Sequence, residues 1–209
     1  LLFTGASGFL GHNVKPILEK QYEITSIGIT DQDNIKVNIA KDIPFLPEKY
    51  DVVLHAAGRA HVYPKSQDEI KAFYDVNYVG TVNLCKALEK GGLPKSFIFI
   101  STLDVYGLAV GLNINEDSPK NPSSHYAISK LQAEEFLIKW AEEKGVILGI
   151  LRPSLMIGPN PPGNLKSMIN GIKKGYYVNI AGGKTRKSLM MIYDIANLVP
   201  KIENVGGIY

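Results

Sequence analysis

The chain has 209 residues, 45% hydrophobic and 21% charged, which suits a globular protein able to bury a substantial core of its own. Its formal charge is only +3 and its lysines are scattered, so nucleic-acid or membrane binding gains no support, and no apolar stretch approaches the roughly 20 residues of a membrane span. The single cysteine, Cys85, cannot form an internal disulfide and offers no metal cluster; within the apolar pattern Val82, Cys85, Leu88 it reads as a small core residue, and no metal is expected.

The chain opens inside an apolar run, "LLFTG", so a few residues are expected to precede it; the cytoplasm is the default compartment. "LLFT" (1–4) predicts a strand, followed by a glycine-rich turn and a helix to about Lys20. Pro16 lies inside that helix, where it predicts a bend or a delayed start. "EITSIGI" (23–29) is a second strand. "DVVLHAA" (51–57) is a near-continuous apolar run, as in a strand buried on both faces. A long helix runs from about Asp68 to Lys90 and is closed by "GG" and "LP". "SFIFIS" (96–101) is another buried strand. A second long helix follows "NPSS", capped by Ser123 or Ser124, and ends at Lys144 before Gly145. "VILGIL" (146–151) closes the series.

This alternation means a doubly wound α/β fold, a parallel sheet with helices on both faces. From Pro153 the texture turns proline- and glycine-rich. The division expected is a dinucleotide-binding domain over 1–152 and a smaller, incomplete substrate region over 153–209.

"TGASGFLG" (4–11) sits between the first strand and the first helix, with Gly5, Gly8 and Gly11 spaced three apart. Glycines let backbone approach a pyrophosphate, and the helix start offers free N–H groups and the positive end of its dipole. Ser7, Phe9 and Leu10 share this cofactor-facing turn. An acid at the end of strand two, able to grip a ribose 2′-hydroxyl, is not obvious. Gly28 stands near its place, Asp31 lies slightly beyond, and no arginine is close enough to meet a 2′-phosphate, so NAD and NADP both stay open.

"TGASGFLG", "DVVLHAAG", "VNYVGTVNL", "FIFISTLDVYG", "YAISK" and "LRPSLMIGP" follow the order and spacing of the extended short-chain dehydrogenase/reductases, which the chain resembles over nearly its whole length. Within that family it is most similar to the nucleotide-sugar enzymes related to UDP-glucose 4-epimerase. "AGRAHV" (57–62), "GNL" (163–165) and "TRKSLMMIYDIA" (185–196) resemble a branch of sugar 4-epimerases and 4-keto-reductases of surface polysaccharide pathways. The resemblance implies a Rossmann fold, an NAD or NADP cofactor and a nucleotide-sugar substrate. It also implies a homodimer built through helices 68–90 and 124–144. The family usually continues past "VGGIY", so the substrate region is expected to be truncated or reduced.

Carried onto this sequence, the resemblance makes Tyr126 the acid/base, Lys130 its partner, Thr102 the hydroxyl beside the reacting carbon, and Asn77 the asparagine that steadies the lysine through water. Thr102 is preferred to Ser101 because it stands four residues before the tyrosine of "VYG". Asn38, Ile39, His55, Ala56, Ala57, Gly58 and Pro153 would line the cofactor groove. Asn164, Leu165 and Arg186 or Lys187 would meet the nucleotide half of the substrate. His55 and His61 read as structural rather than catalytic, His12 and His125 as surface residues beside helix starts. Arg59 is a candidate partner for a phosphate.

The chemistry fits these residue types. Oxidising a sugar C4 hydroxyl needs a hydride acceptor, which nicotinamide provides, and a proton acceptor, which the protein must supply. A free tyrosine's pKa near 10 is too high for a base at neutral pH, and an adjacent ammonium is expected to lower it. A spacing of four on a helix puts Tyr126 and Lys130 on one face, one turn apart. Dehydratase relatives carry two acids directly after the catalytic hydroxyl; here Leu103 takes the first place and Asp104, read as a solvated turn residue, the second, which counts against 4,6-dehydration. Leu155 stands where many epimerases carry an asparagine, which counts against simple glucose/galactose exchange. A 4-keto-reductase and a non-catalytic dinucleotide sensor are the alternative readings.

Overall fold

The computed structural model describes residues 1–60, 62–108, 110–111, 113–177 and 186–209. Among the described residues the regular elements alternate as the apolar runs predict: β1 (Leu2–Thr4), α1 (Phe9–Leu18), β2 (Thr25–Gly28), β3 (Ile35–Lys36), β4 (Val52–His55), α2 (Gln67–Tyr74), α3 (Gly80–Gly91), β5 (Ser96–Ile100), α4 (His125–Lys144), β6 (Ile147–Leu151), β7 (Leu155–Ile157), α5 (Gly163–Lys173), β8 (Leu189–Met191), α6 (Ile192–Ile202) and β9 (Gly207–Ile208). Seven strands form one sheet in the order β3-β2-β1-β4-β5-β6-β9, and every pairing is parallel. Strand order reverses between β1 and β4, so a crevice opens at their carboxyl ends.

The central strands read as unbroken apolar runs because both faces are covered. On one side Leu84, Cys85 and Leu88 of α3 and Leu137 and Trp140 of α4 pack on Phe97 and Phe99. On the other, Val14 and Leu18 of α1 and Ile195 and Val199 of α6 pack on Phe3, Leu54 and Ile98. Each such side chain contributes roughly 1.5–3 kcal/mol by leaving water. Cys85 is part of this core, and burial pushes its thiol pKa up.

Three features differ from the sequence expectations. α1 starts at Phe9, directly after Gly8, and runs through Pro16. The exposed proline sits in the last turns, where it forfeits only the bond to the carbonyl of His12. The 67–91 helical run contains a wide π turn over Asp75–Val79. Finally, the 153–209 stretch does not stand apart: α6 buries Ile192, Ile195 and Ile202 in the core shared with α1, and β9 joins the main sheet beside β6. β7 and β8 pair in parallel as a separate two-stranded sheet. Among the described residues no helix is long and apolar enough to cross a membrane.

Candidate active site

The glycine turn leaves β1 through Gly5, whose φ of +77° suits a residue without a side chain. A Cβ there would lie 2.7 Å from the Ala57 amide nitrogen, so the β1 and β4 loops are in backbone contact. Gly8 caps α1, which has no side-chain cap and no acid in its first turn. By contrast, Ser66 and Ser124 cap α2 and α4 by accepting from Glu69 and Ala127 amides. The N–H groups at the start of α1, with Ser7 half-buried beside them and Phe9 and Leu10 turned toward the sheet, thus suit a diphosphate.

The same crevice receives the lysine. Lys130, 3% exposed, donates to the Ile100 carbonyl at 2.8 Å and lies 4.6 Å from the Phe99 ring centre. A Cβ on Gly58 would sit 3.1 Å from its ammonium and 3.2 Å from Asn77 Oδ1. Contact therefore runs from the Gly5 turn through Ala57 and Gly58 to Lys130. Burial pushes Lys130 down to about 7, against the upward pull of the Glu134 carboxylate.

Tyr126, one turn earlier on α4, packs against Phe73 with ring centres 6.4 Å apart. Burial pushes its phenol up to about 12; the neighbouring Thr102 hydroxyl draws it down and Asp104 pushes it up. Burial thus outweighs the lowering expected from the adjacent ammonium. Lys130 is itself driven toward neutrality and is engaged by Ile100, so desolvation dominates. Thr102, 8% exposed at the end of β5, is the hydroxyl beside the phenol, whereas Ser101 donates to Glu134. Thr102 Oγ1 also accepts from the Asp104 amide at 3.2 Å, so that exposed acid heads a short turn over Leu103–Tyr106.

Asn77 is fully buried in the π turn. Its Oδ1 accepts from the Arg59 amide at 2.8 Å, and its Nδ2 donates to Ser129 Oγ at 2.9 Å and the Arg59 carbonyl at 3.2 Å. It thereby ties the loop after β4 to α4, and π turns often mark functional positions. The Arg59 guanidinium lies 5.7 Å from the centre of the Phe73 ring, and its Nε is buried without a described partner.

His55 departs from its expected place along the groove. Its side chain is fully buried, with Nδ1 2.5 Å from Thr4 Oγ1 and Nε2 2.9 Å from Thr81 Oγ1. Thr81 donates to the Asn77 carbonyl at 2.7 Å, so it accepts from the ring; this assigns Nε2–H, with Nδ1 accepting from Thr4. Burial and the Lys130 charge push the ring down to about 3. The imidazole is a neutral brace between β1 and the start of α3. Ile39 likewise sends its side chain into the core beneath Gly80, and Asn38 Oδ1 accepts from the Ala40 amide. Ala56 and Ala57 are half-buried at the end of β4. The Pro153 carbonyl accepts from the Leu103 amide at 3.1 Å, holding the β6 exit to the β5 exit.

The expected substrate residues are more dispersed. Asn164 is exposed and Leu165 half-buried in the first turn of α5. Arg186 and Lys187 are exposed just before β8. Among the described hydrogen bonds none brings these side chains to Tyr126 or Lys130. Exposed Leu155 pairs in register with Leu189. His12 and His125 are exposed, as read, while His61 lies outside the described residues.

Sequence reasoning missed the buried Glu134–Arg152 pair beneath the site. Arg152 also donates to Tyr106 Oη at 2.8 Å, which joins α4, the turn after β5 and the end of β6. A charged residue on the buried face of α4, one turn past Lys130, was the available signal.

Comparison with known proteins identifies the class. The model of the NAD dependent epimerase/dehydratase family matches residues 1–202, and the chain belongs to that family. It is 33% identical over 229 residues to the N-acetyl-alpha-D-glucosaminyl-diphospho-ditrans,octacis-undecaprenol 4-epimerase of Escherichia coli O157:H7, covering 100% of this chain and 65% of that protein. It is 30% identical over 213 residues to the UDP-glucose 4-epimerase of Vibrio cholerae, covering 95% of this chain and 65% of that one. The solved structure of RMD from Pseudomonas aeruginosa complexed with NADPH superposes with a TM-score of 0.74 at 25% identity, covering 95% of this chain and 73% of that one. The chain thus spans about 65% of the length of these curated relatives.

Proposed function

We propose that this protein epimerises a nucleotide-linked sugar by transient oxidation at C4, using a nicotinamide dinucleotide held on the glycine turn. The observation that carries the reading is the placing of Thr102, Tyr126 and Lys130 at the carboxyl end of β5, with Lys130 against the loop that touches Gly5. Two relatives that are sugar 4-epimerases support the reaction class.

In this reading Thr102 hydrogen-bonds the C4 oxygen and holds it beside the phenol. Tyr126 takes the hydroxyl proton on oxidation and returns one on reduction. Lys130, poised to carry a proton near neutral pH, favours the phenolate when charged. Asn77 holds the loop that limits the lysine's room. When bound, the nicotinamide supplies the hydride acceptor and, oxidised, a positive charge that favours the phenolate. Asn164, Leu165, Arg186 and Lys187 meet the nucleotide, with a cation matched to its diphosphate.

We assign the protein to the cytoplasm and to a homodimer through the helical runs 67–91 and 125–144. Tyr78, Gln132, Glu135, Phe136 and Lys139 line a shallow groove on these helices that suits a second copy.

The test offers the purified chain with NAD a UDP-hexose, a UDP-N-acetylhexosamine and a polyprenyl-diphosphate-linked N-acetylglucosamine, and reads epimer formation. Tyr126→Phe is expected to lose about 10²–10⁴-fold in turnover while still binding the dinucleotide. NADPH consumption by a 4-keto sugar without epimer would replace this reading with the reductase. Dinucleotide binding with no turnover on any donor would leave the sensor.

A further inference from the structure

One face of α4 presents Tyr126, Lys130 and Glu134, each four residues after the last, to the carboxyl end of β5. Tyr126 stands beside the Thr102 hydroxyl, Lys130 donates to the Ile100 carbonyl at 2.8 Å, and Glu134 accepts from the Ser101 hydroxyl. Three successive residues of one strand exit thus meet three successive turns of one helix. Lys130 is needed by the reaction proposed above. Glu134 is fully buried, and among the described residues its carboxylate accepts only from Ser101 and Arg152.

Arg152 carries the same hold further along the chain. Its Nε and Nη2 donate to Glu134, while its Nη1 donates to Tyr106 Oη at 2.8 Å and to the Glu116 carbonyl at 3.1 Å. The guanidinium lies 5.1 Å from the centre of the Tyr106 ring. The segment 101–106, which carries Thr102, is therefore pinned at both ends, by Ser101 on Glu134 and by Tyr106 on Arg152. Stability does not account for this choice of residues, because a buried ion pair is often no more stabilising than apolar residues of the same volume. What hydrocarbon lacks is direction. A forked guanidinium–carboxylate pair holds fixed angles, and here its remaining bonding capacity reaches two hydroxyls that flank Thr102.

We propose that Glu134 and Arg152 are positioning residues of the reaction, which hold Ser101 and Tyr106 so that Thr102 keeps its working distance from Tyr126. The inference rests on the epimerase reading and adds to it the struts that set Thr102 against the phenol. A reacting group displaced by about 1 Å forfeits on the order of 10²-fold in rate, so a small slip of this segment reads out in turnover rather than in binding.

Two double variants, assayed with NAD⁺ on the best-used of the three donors above, test this. Glu134→Leu with Arg152→Met fills the volume with hydrocarbon and strands no charge. Ser101→Ala with Tyr106→Phe leaves the ion pair whole and removes only the two hydroxyls it holds. Each folded protein is expected to lose about 10–10²-fold in kcat, with KM and the calorimetric NAD⁺ affinity within about threefold of the unaltered values. A purely structural role predicts instead that a variant shown by circular dichroism to be fully folded keeps its kcat. Full kcat in either folded variant overturns the proposal, and so does a rise in KM with kcat unchanged. NAD⁺ affinity that falls in step with kcat overturns it too, since that marks a loosened crevice. If one pair fails to fold, the other decides alone. If the unaltered chain turns over none of the donors, the epimerase reading itself fails, and this inference with it.

Discussion

The Arg152 guanidinium donates to both carboxylate oxygens of Glu134, from Nε at 3.1 and 3.2 Å and from Nη2 at 2.6 Å, with both side chains almost fully buried. Removing one charge strands the other. Glu134→Gln is therefore expected to cost about 3–5 kcal/mol in urea unfolding, and the paired change Glu134→Leu with Arg152→Met to cost much less. Equal losses in the two variants would mean that burial of the pair is not what holds it.

Lys130 makes stability rise with pH. Burial holds its folded pKa at about 7, below the 10.5 of an unfolded lysine. Between those values the unfolded chain keeps a proton that the folded chain has lost. Stability therefore climbs from pH 7 to about 10, and the penalty for burying the charge is complete below pH 7. Lys130→Met is expected to gain stability, on the order of a few kcal/mol, at pH 6 and to lose that advantage near pH 10. Chemical unfolding at the two pH values reads the difference.

His55 works in the acid range. Its ring is held at about 3 against 6.5 when unfolded, so stability falls as pH drops from 6.5 toward 3. His55→Gln should flatten that slope between pH 6.5 and 4. At pH 7 the variant should be weaker by about 1–3 kcal/mol, because Thr4 and Thr81 lose a fitted partner. An unchanged slope would mean the ring is not the group that titrates.

Gly5→Ala is expected to cost about 2 kcal/mol, combining a left-handed backbone with a contact of 2.7 Å to Ala57. Because that contact joins the two loops of the crevice, dinucleotide affinity should fall in the same variant. Thermal unfolding and calorimetric titration separate the two effects.

Local order was legible wherever one face or one turn sufficed to specify it. The apolar runs 51–57 and 96–101 gave buried strands, the serine pair 123–124 gave the cap of α4, which Ser124 supplies, and Gly145 gave its end. Glu134 was not legible, because Ser129, Lys130 and Glu134 share the buried face of α4 with Ala133, Leu137 and Trp140 and blur its amphipathic pattern. β9, two residues long, was hidden because its partner β6 lies some 60 residues earlier in the chain.

Sequence by itself determined the alternation of elements, the glycine turn at 5–11 and the single helical face shared by Tyr126 and Lys130, since each depends on neighbours within a few residues. Tertiary structure alone decided that Lys130 is driven toward neutrality and His55 becomes a neutral brace. It also decided that Glu134, one turn past Lys130, meets Ser101 and Arg152. Charge state and side-chain reach depend on desolvation and on distances set by distant segments, and no local pattern encodes those.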